Sequence, residues 1–176
     1  MRIDTPLRGR PRGLAGRGFV PCAIASACFL ALAVLLAGCG GNRAGAEFDP
    51  RDLAKSLIDG ITFDDQMEAA SDNAFYALYA VDSSDESIAA FVLYTSTGAT
   101  AEEVSVIEAR DEESAETVTE HARARISSQK AEFKNYAPQE MAKLNDPVLV
   151  CAGKYVILCL SNDNAAAEKI IEDFLE

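Results

Sequence analysis

The chain has 176 residues, 16 basic against 28 acidic, for a net charge of −12, and 49% of it is hydrophobic. That acidity excludes a protein built to grip nucleic acid, because phosphate backbones repel it. One histidine, His121, and five scattered cysteines likewise exclude zinc ligation of the usual type.

The first 18 residues carry Arg2, Arg8, Arg10, Arg12 and Arg17 against the single acid Asp4, and Phe19 to Ala37 then runs 19 residues without a charge. This is a basic region followed by an apolar one, the pattern of an export signal. About 20 apolar residues could also span a bilayer. Pro21 interrupts that run, and the richest apolar stretch is only Phe29 to Ala37. Leu36-Ala37-Gly38-Cys39 at its end resembles the lipobox of bacterial lipoprotein precursors. The resemblance implies a diacylglyceryl thioether on Cys39, cleavage after Gly38, and a protein held on the extracytoplasmic face of the cell membrane.

Residues 1–38 are therefore read as a lipoprotein signal peptide, 39–47 as a lipidated flexible tether, and 48–176 as a single globular α+β domain. Removing five arginines and one aspartate with the signal leaves 11 basic and 27 acidic residues, a net charge of −16. The lipid is then the expected membrane contact. Gly40 to Glu47, rich in glycine and alanine, extends at most about 28 Å and averages nearer 16 Å. Such a leash keeps the domain within reach of membrane proteins or the innermost wall polymer.

In chain order, Asp49 can cap and Pro50 can open a helix over about 50–59, with Leu53, Leu57, Ile58 and Ile61 on one stripe. Phe75 to Val81 is read as a short helix, and Ser87 to Ser96 as a strand. Asp82-Ser83-Ser84-Asp85-Glu86 between them is read as a solvated turn, since it lacks the glycine and distal glutamate of a calcium loop. After a turn at Thr97-Gly98-Ala99, Glu103 to Ala109 alternates as a half-buried strand.

A long helix over about 112–135 follows, with Ala115, Val118, Ala122, Ile126 and Phe133 as its core stripe. Glu112, Glu113, Glu116 and Glu120 lie in the first half and Arg123, Arg125, Lys130 and Lys134 in the second, an order that suits the helix dipole. Tyr136-Ala137-Pro138 ends it. A short helical turn at 139–143 precedes a hairpin of 148–151 and 154–160 joined through Ala152-Gly153. That register places Cys159 opposite Asp146 and on the other face of the sheet from Cys151, so both thiols are expected free and buried. Asn162 or Asp163 caps a terminal helix carrying Ala167, Ile170, Ile171 and Phe174. The expected architecture is α+β, a small antiparallel sheet of about four strands covered on one face and packed against one long helix and a C-terminal helix.

From Ser87 onward this order, with Glu102-Glu103-Val104 entering the second strand, Tyr136-Ala137-Pro138 closing the long helix and Gly153-Lys154-Tyr155-Val156 at the hairpin, resembles a family of small bacterial lipoproteins. That family is DUF4358, a domain of unknown function. The resemblance implies no reaction, ligand or cofactor.

The residues themselves carry no motif for a nucleophile, a phosphate loop or a metal. His121, on the margin of the long helix, is read as a solvated histidine. Tyr94, Thr95, Glu103, Tyr136 and Lys154, at the ends of elements, form the candidate binding surface if they come together. The expected function is a membrane-anchored extracytoplasmic binding or interaction module of the cell envelope, working beside a membrane-protein or cell-wall partner. The alternatives are a hydrolase using carboxylates or His121, and a purely structural spacer.

Overall fold

The computed structural model describes residues 47–176. The signal peptide, Cys39 and all of the tether but Glu47 lie outside the described residues. Among these residues a five-stranded antiparallel sheet has the order β1-β2-β3-β5-β4, formed by β1 (Glu68–Ala69), β2 (Ile88–Thr95), β3 (Glu103–Ala109), β4 (Val148–Ala152) and β5 (Tyr155–Leu160). The helices are α1 (Pro50–Gly60), α2 (Asp72–Tyr79), α3 (Glu112–Tyr136), α4 (Met141–Asn145) and α5 (Asn164–Leu175), with a 3₁₀ turn at Pro138–Glu140. The chain is α+β, with one strand more than expected.

Helix starts follow local chemistry. Asp49, Ser71, Asp111 and Asp163 each accept a backbone N–H of the first turn through the side chain, offsetting donors that have no partner within the helix. Leu53, Ala54 and Leu57 of α1 and Ala167 and Ile171 of α5 then bury against Val104, Val106, Ile157 and Cys159 on one face of the sheet. Gly60 makes this layer close: a Cβ there would lie 2.7 Å from Cδ1 of Ile170.

The opposite face is covered as well. Phe75 and Tyr79 of α2 and Ala115, Val118 and Ala122 of α3 pack on Leu93, Ile107 and Val156, and Ile126, Phe133 and Leu144 extend that layer over Leu158 and Leu160. The expectation of a sheet covered on one face is thereby corrected to a sheet between two helical layers. β3, read as half-buried, is the central strand and is buried on both faces apart from a partly exposed Glu108. Its polar residues imitated a solvent face because Glu103 and Ser105 are satisfied, or enclosed, inside the protein.

The hairpin register also differs. Ala152 pairs with Tyr155 and Val150 with Ile157, so the loop is Gly153-Lys154. Gly153 has φ +54°, which suits the first central position of a two-residue hairpin turn. The shift of two residues keeps every side chain on its expected face and sets Cys159 opposite Val148. Both thiols are free, yet Cys151 is exposed. Its burial was expected wrongly because β4 is an edge strand, beyond the centre of the helical cover.

Candidate functional site

Two polar clusters are built on the sheet end where β2 passes to β3. In the first, Lys143 of α4 is enclosed by carboxylates: its Nζ donates to Asp64 at 2.8 Å and Glu140 at 2.9 Å, and lies 3.3 Å from Glu102. Glu102 in turn accepts the N–H groups of Asp64 and Asp65 and the hydroxyl of Thr100. Glu140 accepts the N–H of Ala101, and Asp64 the amide of Asn162. Four separate segments are thus tied to one ammonium. Burial alone would lower the Lys143 pKa, but the bonds from Asp64 and Glu140 and the charge of Glu102 outweigh it and raise it. Held protonated, Lys143 serves as a charged clamp and not as a base.

Beside this clamp lies a polar cavity of about 270 Å³ lined by Lys143, Asp146, Ser161, Asn162 and Asn164 together with Ala142. Asn164 donates to the carbonyl and carboxylate of Asp146. Its buried Oδ1 has no partner among the described residues.

The second cluster centres on Glu103, buried under α3. Its Oε2 accepts Nε and Nη2 of Arg125 at 3.0 and 2.8 Å and Nε2 of Gln129 at 2.8 Å, and Oε1 accepts the hydroxyl of Tyr79 at 2.8 Å. Burial, and then the Glu103 charge, push the Tyr79 phenol well above its usual pKa. Ser105 Oγ and Gln129 Oε1 are buried there without a partner among the described residues.

The residues of the candidate surface do not assemble. Glu103 is fully buried in the second cluster, whereas Thr95 pairs with it across the ladder and Tyr94 packs partly into the core of the other face. Tyr136 is 73% exposed at the end of α3. Lys154 lies at the opposite end of the sheet, bonded to Glu108 and Glu47, about 17 Å from Glu103 at the usual rise of five strand residues. Those two carboxylates raise the Lys154 pKa. His121 is partly buried, not solvated as expected, because its Nδ1 lies 3.0 Å from the carbonyl of Tyr79. Asp82 and Asp85 accept the N–H groups of Ser84 and Ser87, as a capped turn does.

The sequence reading missed Asp64, Glu102, Glu140, Lys143, Arg125 and Gln129. The signal available was three acids and a lysine at the ends of elements, but their partners are remote in the chain. Among the described residues no group of three or more histidine, cysteine or acidic side chains is arranged to hold a metal ion, and no helix is long and apolar enough to cross a membrane.

A family model described as a domain of unknown function, DUF4358, matches residues 61–161. The chain belongs to the DUF4358 family. The DUF4358 region runs from the end of α1 to Ser161, so it holds the whole sheet and, apart from Asn162, both polar clusters, while α1 and α5 lie outside it. No curated protein and no solved structure matches the chain.

Proposed function

We propose that this DUF4358 protein is a lipid-anchored interaction module on the extracytoplasmic face of the cell membrane, held through Cys39 and meeting a membrane-protein or cell-wall partner. The lipobox followed by a short tether carries the reading. The way the domain begins supports it. Phe48 stacks on Tyr155 with ring centroids 4.0 Å apart, exchanges both backbone hydrogen bonds with the Tyr155 hydroxyl, and packs edge-on against Phe174. Glu47, just before it, is bonded to Lys154. The described chain thus enters the domain at the hairpin end of the sheet, and the clamp and its cavity lie at the other end.

The hydrolase alternative gains less support. Lys143 is kept protonated, Glu103 is buried and fully engaged, and burial pushes the Cys159 thiol up to about 12. Crosslinking in intact cells, with identification of what is captured, tests the interaction reading. A reproducible envelope partner, lost when Cys39→Ala releases the protein, is the expected result; a wild-type protein that captures nothing contradicts it.

A further inference from the structure

β2 is an edge strand over most of its length. β1 pairs only with Tyr94 and Thr95, and the N–H of Ala70 closes on the carbonyl of Leu93 at 2.8 Å. From Val92 back to Ile88 the outer side of the strand is paired with no other strand among the described residues. The ladder sets which groups are free. Ser96 donates to Glu102 across β2 and β3, in the register that pairs Tyr94 with Val104 and Val92 with Val106. By alternation, the backbone of Leu93 and Phe91 points outward. Leu93 has its partner in Ala70; the N–H and C=O of Phe91 take part in no hydrogen bond to a described residue outside the sheet.

Edge strands are normally guarded by lysine, proline or a covering loop. Ile88 to Thr95 reads IAAFVLYT, without a charge or a proline, and a bulge interrupts it between Ile88 and Ala90. A groove of about 240 Å³ runs along this edge, floored by Ile88–Val92 and walled by the first turn of α1 and by Asp72 and Tyr76 of α2. The side chain of Phe91 is stacked on Phe75 with centroids 3.8 Å apart, so the edge is held rigidly.

We propose that this edge takes an extended segment of a cationic partner as an added strand, with the Phe91 backbone supplying the hydrogen bonds. The inference rests on the interaction-module reading and names its surface. Charge selects the occupant. The rim carries Asp49 and Asp72 against Arg51, which is already paired with Asp49 at 3.4 Å, and the chain from Cys39 onward has a net charge of −16. Two copies would repel each other. The tether is no better suited, since it has no alternating apolar residues.

The test uses the full chain in detergent and a short peptide alternating lysine and valine, with a glutamate-valine peptide and a lysine-valine peptide N-methylated at alternate residues as comparisons. The lysine peptide should bind and slow hydrogen exchange at Phe91, while the other two bind at least about tenfold more weakly. Ala89→Lys, at an exposed position, should weaken it by about fivefold with unchanged thermal unfolding, and Asp72→Lys to a similar extent while the domain still unfolds cooperatively. Equal binding of the N-methylated peptide, unaltered exchange at Phe91, or no binding of the lysine peptide overturns the proposal. In cells, a partner captured equally by wild type and Ala89→Lys overturns the edge while leaving the module reading intact. A wild type that captures nothing overturns the module reading itself.

Discussion

The wholly buried carboxylate of Glu103 is held by Arg125, whose Nε and Nη2 both donate to the same oxygen, at 3.0 and 2.8 Å. This pair joins the central strand β3 to the middle of α3, with both side chains buried. Removing one partner leaves the other charge buried, which costs far more than the pair itself contributes.

Arg125→Ala is therefore expected to destabilise the domain by roughly 3–5 kcal/mol, measured as a shift of the urea midpoint. Replacing both members together, Glu103→Leu with Arg125→Met, should recover a large part of that loss. A double variant no more stable than Arg125→Ala would show that the pair is not the unit argued here.

At Asp64 the Lys143 bond, ahead of every other influence, holds the carboxyl below its usual pKa. A depressed pKa in the folded state means that the unfolded chain binds the proton more readily, so stability is present above the ordinary aspartate range and is lost as pH falls through the depressed value. Asp64→Asn should accordingly flatten the fall in stability below about pH 4. Identical slopes for the two proteins in acid would remove Asp64 from the account.

The two thiols should separate cleanly in reactivity. Cys151 is exposed, whereas burial pushes Cys159 up to about 12, so at mildly alkaline pH an alkylating reagent should label Cys151 and reach Cys159 only after unfolding. Peptide mass mapping reads both sites. Labelling of Cys159 at the rate of Cys151 would contradict the burial of β5.

Ala80 ends α2 in the left-handed region at φ 51°, where a Cβ is unfavourable. Ala80→Gly should raise stability by about 0.5–1 kcal/mol, since glycine relieves this strain at a helix end. Calorimetry checks the sign, and a lower melting temperature would count against the assigned backbone.

What the sequence disclosed divides along chain distance. Caps such as Asp49 and Asp111, and stripes such as Ala115, Val118 and Ala122, declare themselves within a few residues, and those helices lie where expected. β1 is two residues long and starts with Glu68, too short to show any period. Arg125 reads in the sequence only as one of the basic residues in the second half of its helix, because nothing nearby marks it; its partner Glu103 is 22 residues away. The clamp is harder still, since Lys143 meets Asp64 across 79 residues. The proposed docking edge was invisible for another reason: whether a strand lies at an edge is a property of the sheet order and not of the strand's own residues.

The anchor is the claim on which the rest of the functional account depends, and metabolic labelling with a fatty acid tests it most directly. Wild-type protein should carry the label and sediment with membranes, and Cys39→Ala should lose both the label and the membrane association. Label persisting in Cys39→Ala, or an unlabelled wild type, would contradict it.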